Sequence, residues 1–155
     1  MNDPAPEWPS DITEPRQSPG FVFWRDFMHW QRGVNERLRP LGLTQPQFAM
    51  LAVFGWLMRQ GHGVTQQAAA DFLGLERMHV SQVSQRLERD GLIARRAHPD
   101  DARAKTVVLT AKGQEMLARA IPLVETYDRQ FFASRCIAGD KSPHAARGGN
   151  LPGVT

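Results

Sequence analysis

Hydrophobic residues after Phe21 recur at three- and four-residue intervals, as in Trp24, Phe27 and Met28, with charged side chains between them. This spacing places the apolar side chains on one face and predicts an amphipathic helix that ends near Pro40. The first twenty residues differ, because they hold five prolines among acidic and serine residues and lack this repeat. We interpret residues 1–18 as a flexible arm.

Capping signals predict three more helices. Thr44, followed three residues later by Gln47, has the pattern of a capping box at a helix start. Thr65 is the predicted N-cap of a short helix that follows. A further helix is expected over residues 76–90, and Gly91 suits the left-handed conformation that closes it.

Two strand-like runs, residues 92–96 and 105–109, flank a polar loop and predict a β-hairpin. Thr110 then caps a last long helix that runs toward Phe132. The predicted fold class is mainly α with a small β-hairpin. Helix, tight turn, helix and hairpin, in that order, are typical of a winged helix-turn-helix with helices on either side.

Composition agrees with a single globular domain, which we place at residues 19–133. Of the 155 residues, 41% are hydrophobic and 23% charged, as in ordinary globular chains. No apolar run is long enough for a membrane span, and the N-terminus lacks the pattern of a secretory signal, so we expect a cytoplasmic protein. Residues 134–155 have no periodicity and many glycines and prolines, which predicts a disordered tail.

Positive charge is concentrated in one part of the chain. The formal net charge is +3, and seven of the 19 Lys and Arg residues fall between residues 77 and 105. Such a distribution permits binding to nucleic acid but does not by itself demonstrate it.

The helix predicted over residues 76–90 has two different faces. Val80, Val83 and Leu87 cluster on an inner face, and the opposite face carries amide, hydroxyl and guanidinium groups with almost no carboxylate. A merely solvated face would normally include glutamate, whereas glutamine pairs with adenine and arginine with guanine in the major groove. The residues predicted to contact DNA are Arg77, Met78, His79, Ser81, Gln82, Gln85, Arg86 and Arg89.

The predicted hairpin supplies a second group of DNA contacts. Arg103 lies at its tip, where the negative potential of a minor groove favours a guanidinium, and Asp101 is placed to pair with it. A salt bridge within the loop is the other interpretation of Arg103. Contacts to phosphate are expected from Arg95, Arg96, Lys105 and the N-cap Thr65.

Several short motifs resemble the multiple-antibiotic-resistance regulator (MarR) family of transcriptional regulators. They read Leu-Thr-Gln-Pro-Gln-Phe at residues 43–48, Leu-Glu-Arg-Asp-Gly-Leu-Ile at 87–93, Asp-Asp-Ala-Arg-Ala-Lys at 100–105 and Leu-Thr-Ala-Lys-Gly at 109–113. The resemblance covers roughly residues 19–132.

This resemblance implies a homodimer, formed through the flanking helices, whose recognition helices enter successive major grooves of a pseudo-palindromic operator. Repression of transcription is the expected outcome. A pocket for small aromatic or phenolic effectors is also implied, between the dimerisation helices and the DNA-binding lobe. Trp24, Met28 and Phe48 are candidates for that pocket, and their other interpretation is ordinary core.

The end of the chain departs from the family pattern, in which a long last helix intertwines with the partner subunit. Residues 135–143 cannot propagate such a helix. We interpret this ending as one replaced by a shifted reading frame or a truncation. It argues against the family's usual dimer contact.

Other chemistry is not indicated. Cys136 alone excludes an internal disulfide, and its place in the tail favours an inert thiol over a redox sensor. No histidine pair has metal-ligand spacing, and no motif for nucleophilic or metal-dependent catalysis or for phosphate binding occurs, so we expect no enzyme, metal or cofactor. The alternative function is a winged-helix module that docks proteins without reading DNA.

Overall fold

The computed structural model of the chain describes residues 7, 9–61, 64–97, 105–133 and 135. The helices are α1 (Pro19–Leu38), α2 (Gln45–Arg59), α3 (Gln66–Leu73), α4 (Arg77–Arg89) and α5 (Ala111–Ala133). The strands are β1 (Val64–Thr65), β2 (Ile93–Ala97) and β3 (Lys105–Leu109), and short 3-10 turns occupy Pro15–Gln17 and Arg39–Leu41. The predicted fold class is confirmed.

Local hydrogen bonds explain where the helices begin. The backbone N–H of Thr44 donates to Gln47 Oε1 at 2.9 Å at the start of α2, which is half of the predicted capping box. At the start of α3, Thr65 Oγ1 accepts from the N–H of Ala68 at 3.0 Å. The Thr110 side chain caps α5 in the same way. These three predicted caps are therefore confirmed.

The three strands form one antiparallel sheet in the order β1-β3-β2. Strands β2 and β3 are the predicted hairpin, with Ile93 opposite Leu109. Strand β1 was not predicted, because two residues are too few to show an alternating pattern. It pairs with the edge of β3 that faces away from β2, where Val64 lies opposite Val107.

One hydrophobic core joins the sheet to all five helices. Helix α4 contributes Val80, Val83 and Leu87, which are buried. Because one face of α4 is fixed in the core, the direction of its opposite face is fixed as well. The largest fully buried side chains of the core are Phe54, Leu38, Met50, Leu51, Leu87 and Ile93.

Helices α1 and α5 approach closely where Gly33 faces Tyr127. A methyl group on Gly33 would overlap the Tyr127 hydroxyl, so the contact needs a glycine. Nearby, Trp30 Nε1 donates to Asp128 Oδ1 at 2.7 Å. The Arg37 guanidinium lies 3.8 Å from the centre of the Tyr127 ring, within the range of a cation–π contact. These contacts join the two flanking helices within one chain.

The start of α5 forms hydrogen bonds to two of the residues that connect α4 with β2. The Thr110 hydroxyl donates to the carbonyl oxygen of Gly91 at 2.6 Å, and the Thr110 N–H donates to that of Leu92 at 3.1 Å. Gly113 packs so closely on this segment that a methyl group there would overlap the Leu92 carbonyl oxygen. These contacts join the start of α5 to the segment between α4 and β2.

Several predicted boundaries are shifted, and some predictions fall beyond the described residues. Helix α1 begins at Pro19, two residues earlier than the hydrophobic repeat, because proline is accommodated in the first turn of a helix. Helix α5 extends to Ala133, one residue past the predicted end. The hairpin loop at 98–104 and the tail at 136–155 lie outside the described residues.

Candidate nucleic-acid interface

The outer face of α4 is accessible along its whole length. Gln82, Gln85 and Arg89 are exposed, whereas Val80 and Leu87 on the opposite face are fully buried. The other exposed residues of this helix are Arg77, Met78, His79 and Arg86, and Ser81 is half-buried. The structure therefore places all eight predicted contact residues of this helix where a ligand can reach them, with the side chain of Ser81 less open than the rest.

A groove of about 490 Å³ runs between α4 and the start of α2. His79, Gln82 and Arg86 form one wall, and Thr44 and Pro46 form the other. The side chains on the α4 wall are mainly amides and cations, which are the groups that bind phosphate and base edges. The sequence does not link α2 with this surface, because the contact depends on how two distant segments pack.

Arg95 on β2 has a protein partner that the sequence did not reveal. Its Nε donates to Glu88 Oε2 at 2.8 Å, and its second guanidinium nitrogen bonds to the same oxygen. The hydrogen bond to Glu88 raises the pKa of Arg95 above its ordinary value. Arg95 was predicted to contact phosphate. In the structure it forms hydrogen bonds to the Glu88 carboxylate on α4, which join that helix to the hairpin.

The remaining predicted contacts lie on the hairpin and at the start of α3. Arg96 is exposed on β2, and the backbone of Lys105 belongs to β3. The predicted pair of Asp101 and Arg103 at the hairpin tip lies outside the described residues. Thr65 is half-buried, and its hydroxyl oxygen is occupied by the cap of α3.

Comparison with known proteins identifies the family. The family model described as MarR matches residues 43–105. An HTH-type transcriptional regulator of Bacillus subtilis (strain 168) named YdcH is 38% identical over 128 residues, which cover 83% of this chain and 87% of the relative. The chain belongs to the MarR family. It is therefore a DNA-binding transcriptional regulator, in a family of regulators rather than of enzymes.

Solved structures of similar proteins agree with the assignment to the MarR family. The transcriptional regulator MosR of Mycobacterium tuberculosis, solved in complex with DNA, is 31% identical, with a TM-score of 0.66 over 76% of this chain and 83% of that one. CouR of Rhodococcus jostii, solved with bound p-coumaroyl-CoA, is 25% identical, with a TM-score of 0.67 over 79% and 83%. Among the described helices, none has the length and apolar content needed to cross a bilayer.

An apolar cavity of about 540 Å³ lies between α2 and α5 of this MarR-family chain. Arg59 and Gln114 bring polar groups to its wall, and Gly55 lets the Leu117 side chain pack closely against α2. The other lining residues are Ala52, Trp56, Met58, Leu109, Ala118 and Ile121.

The three predicted pocket residues, Trp24, Met28 and Phe48, do not line this cavity. Phe48 packs partly buried against the core, and the side chains of Trp24 and Met28 are exposed on α1. The apolar stripes of α2 and α5 were visible in the sequence. Which residues of those stripes leave a space between the helices depends on the packing.

The first half of α1 carries an exposed aromatic surface. Phe23 is 75% exposed and Trp24 56% exposed. Phe21, Phe27 and Met28 on α1 and Phe132 on α5 are also exposed. We call these six residues the aromatic face. Contiguous apolar surface of this kind marks an interaction site in proteins that otherwise bury such residues.

Proposed function

We propose that this chain is a cytoplasmic repressor that binds a pseudo-palindromic operator as a homodimer. The observation that carries the proposal is the outer face of α4, where Gln82, Gln85 and Arg89 are exposed while Val80 and Leu87 hold the opposite face in the core. An α-helix fits the major groove, and these side chains have the donors and acceptors that distinguish base pairs there.

Within this interface the residues have different roles. Gln82 and Gln85 lie at the centre of the exposed stripe and read base edges, with adenine as the preferred partner of each amide. Arg86 and Arg96 lie to the sides of that stripe and bind phosphates. Arg95 acts through Glu88, because their hydrogen bonds fix the hairpin relative to α4. The wing tip and Thr65 remain predicted DNA contacts.

The aromatic face supports the homodimer. It combines residues of α1 and α5, the two helices that flank the DNA-binding elements. A second copy that covers Phe23 and Trp24 removes a large apolar area from water, which is the main favourable contribution to association. This contact uses the described part of α5, because Phe132 belongs to that helix. Two chains joined in this way present two copies of α4 to successive major grooves.

The cavity between α2 and α5 supports control by a small aromatic effector. Its apolar wall accepts a ring, and Arg59 and Gln114 can bind a carboxylate or hydroxyl group on that ring. Gln114 lies in the first turn of α5, next to Thr110 and Gly113, which contact the end of α4. An effector that displaces this turn therefore shifts α4 relative to its partner copy and weakens operator binding.

A comparison of two variants tests DNA reading. A preferred duplex is first selected from a random library with the full chain, and affinities are then measured by fluorescence anisotropy at several salt concentrations. Gln82→Ala is expected to lose about 1–3 kcal/mol of discrimination at one base pair. Arg96→Ala is expected to weaken preferred and random duplexes alike and to reduce the slope of log affinity against log salt by about 0.9.

Two results would contradict this proposal. Equal losses on preferred and random duplexes for Gln82→Ala would remove that residue from base reading. An affinity that does not change with salt, or no preferred duplex at all, would favour the docking module instead.

A further inference from the structure

Met78 is an apolar residue in the polar outer face of α4. It lies in the first turn of the helix and is 71% exposed. Gln82, Gln85 and Arg89 follow it at four, seven and eleven residues, so the four side chains form one stripe along the helix. The stripe lies opposite the buried Val80 and Leu87. A base edge that meets Gln82 is therefore within reach of Met78.

The groups that base pairs present in the major groove indicate which of them Met78 contacts. The apolar group that a base pair presents there is the 5-methyl group of thymine. A methionine side chain is unbranched and flexible, makes weak hydrogen bonds and adapts to an irregular apolar surface. Guanidinium groups of Arg77, Arg86 and Arg89 are exposed on the same helix. Their charge favours a nucleic acid over an apolar protein surface as the partner of Met78.

We propose that Met78 reads a thymine methyl group close to the adenine that Gln82 reads. One helical turn separates the two residues and advances about 5.4 Å, whereas base pairs are about 3.4 Å apart along the duplex. The thymine therefore lies in the same base pair as that adenine or within two base pairs of it. This inference rests on the proposed function and adds to it a sequence feature, an adenine with a thymine in the same base pair or within two base pairs of it.

Removal of the methyl group alone tests this inference. The full chain is used to select a preferred duplex, and each thymine is then replaced by deoxyuridine, one position at a time. Wild type is expected to bind about fourfold more weakly at one thymine position per half-site, the factor that corresponds to one buried methyl-sized group. With Met78→Ala, thymine and deoxyuridine are expected to bind equally at that position.

Two control variants identify the cause. Met78→Leu keeps an apolar side chain and is expected to keep most of the methyl effect. Gln85→Ala removes an amide from the same stripe and is expected to weaken binding overall while the fourfold ratio between thymine and deoxyuridine persists.

Distinct results separate the inference from the proposed function. A preferred duplex that tolerates every deoxyuridine overturns the inference and leaves the proposed function intact. An unchanged methyl effect in Met78→Ala has the same consequence. If no duplex is preferred over random sequence, the proposed function and the inference fall together.

Discussion

Two helices of this protein, α4 and the first half of α1, expose side chains of opposite chemistry. On α4 the exposed residues are mainly amides and guanidinium groups, with Met78 as an apolar exception. On α1 the exposed residues include Phe23 and Trp24, which are 75% and 56% accessible. On α4 the buried residues lie on the opposite face, whereas on α1 they lie toward the C-terminal end, at Gly33, Val34 and Leu38.

The difference indicates what covers each face. Amide and guanidinium groups form hydrogen bonds to water in the free protein and to base edges or phosphates in a DNA complex. The outer face of α4 therefore has hydrogen-bond partners in both states. Burial of phenyl and indole rings against another apolar surface removes them from water and is favourable. One face is therefore suited to a polar polymer and the other to a second protein surface, and α5 connects the two.

Phe23→Glu is expected to have the largest effect, because it places a charge in the aromatic face. The variant should sediment with half the mass of wild type at micromolar concentration. Its affinity for the operator should fall by about 10²–10⁴-fold, since two linked DNA-binding units are reduced to one. Analytical ultracentrifugation and fluorescence anisotropy measure the two effects.

Phe72→Glu is a matched control for that experiment. Phe72 is 58% exposed, but it lies on α3 next to α4. Its variant is expected to keep the mass of wild type. If Phe23→Glu also keeps that mass, the aromatic face is not the dimer contact.

Gly113→Ala and Gly33→Ala test how α5 joins the two regions. Alanine normally favours a helix over glycine by about 1 kcal/mol, yet each methyl group here would overlap a neighbour. Gly113→Ala is expected to lose about 3 kcal/mol of unfolding free energy, because the Leu92 carbonyl oxygen belongs to the backbone and cannot move alone. Gly33→Ala is expected to lose about 1–2 kcal/mol, because the Tyr127 side chain can rotate away.

Gly20→Ala provides the control for both glycine variants. Gly20 also lies in a helix, and a methyl group there meets no atom within 4 Å. Chemical denaturation should therefore show a small gain in stability. A gain of the same size in Gly113→Ala would show that the start of α5 is not in close contact with Leu92.

Arg95→Gln is expected to have the smallest effect. It removes the hydrogen bonds to Glu88 in a pair that is partly exposed, so the unfolding free energy should fall by about 1 kcal/mol. A double-mutant cycle with Glu88→Gln should recover most of this loss as coupling energy. Additive losses would mean that the two side chains act independently and that Arg95 is free to bind phosphate.

Sequence reasoning succeeded where the signal is local. Thr44, Thr65 and Thr110 each cap the helix that they were predicted to cap, because a cap depends on residues three positions apart. The exposed stripe of α4 was predicted correctly for a similar reason. Its helical period alone separates Val80 and Leu87 from Gln82 and Gln85.

Contacts between distant segments could not be predicted in this way. The hydrogen bonds of Arg95 to Glu88 were not predicted, since nothing in the order of residues marks Glu88 as its partner. Trp24, Met28 and Phe48 were predicted to line an effector pocket, and the apolar cavity between α2 and α5 beside Gly55 was not predicted. Volume left between two helices depends on how their side chains interdigitate.

The sequence by itself determined the helices, their caps, the hairpin and the polar stripe of α4, because these follow from spacings of two to four residues. Tertiary structure alone decided the pairing of β1 with β3, the bond of Trp30 to Asp128 across 98 residues, and the place of the cavity. Their physical cause is the packing of one core, in which each contact depends on all the elements around it.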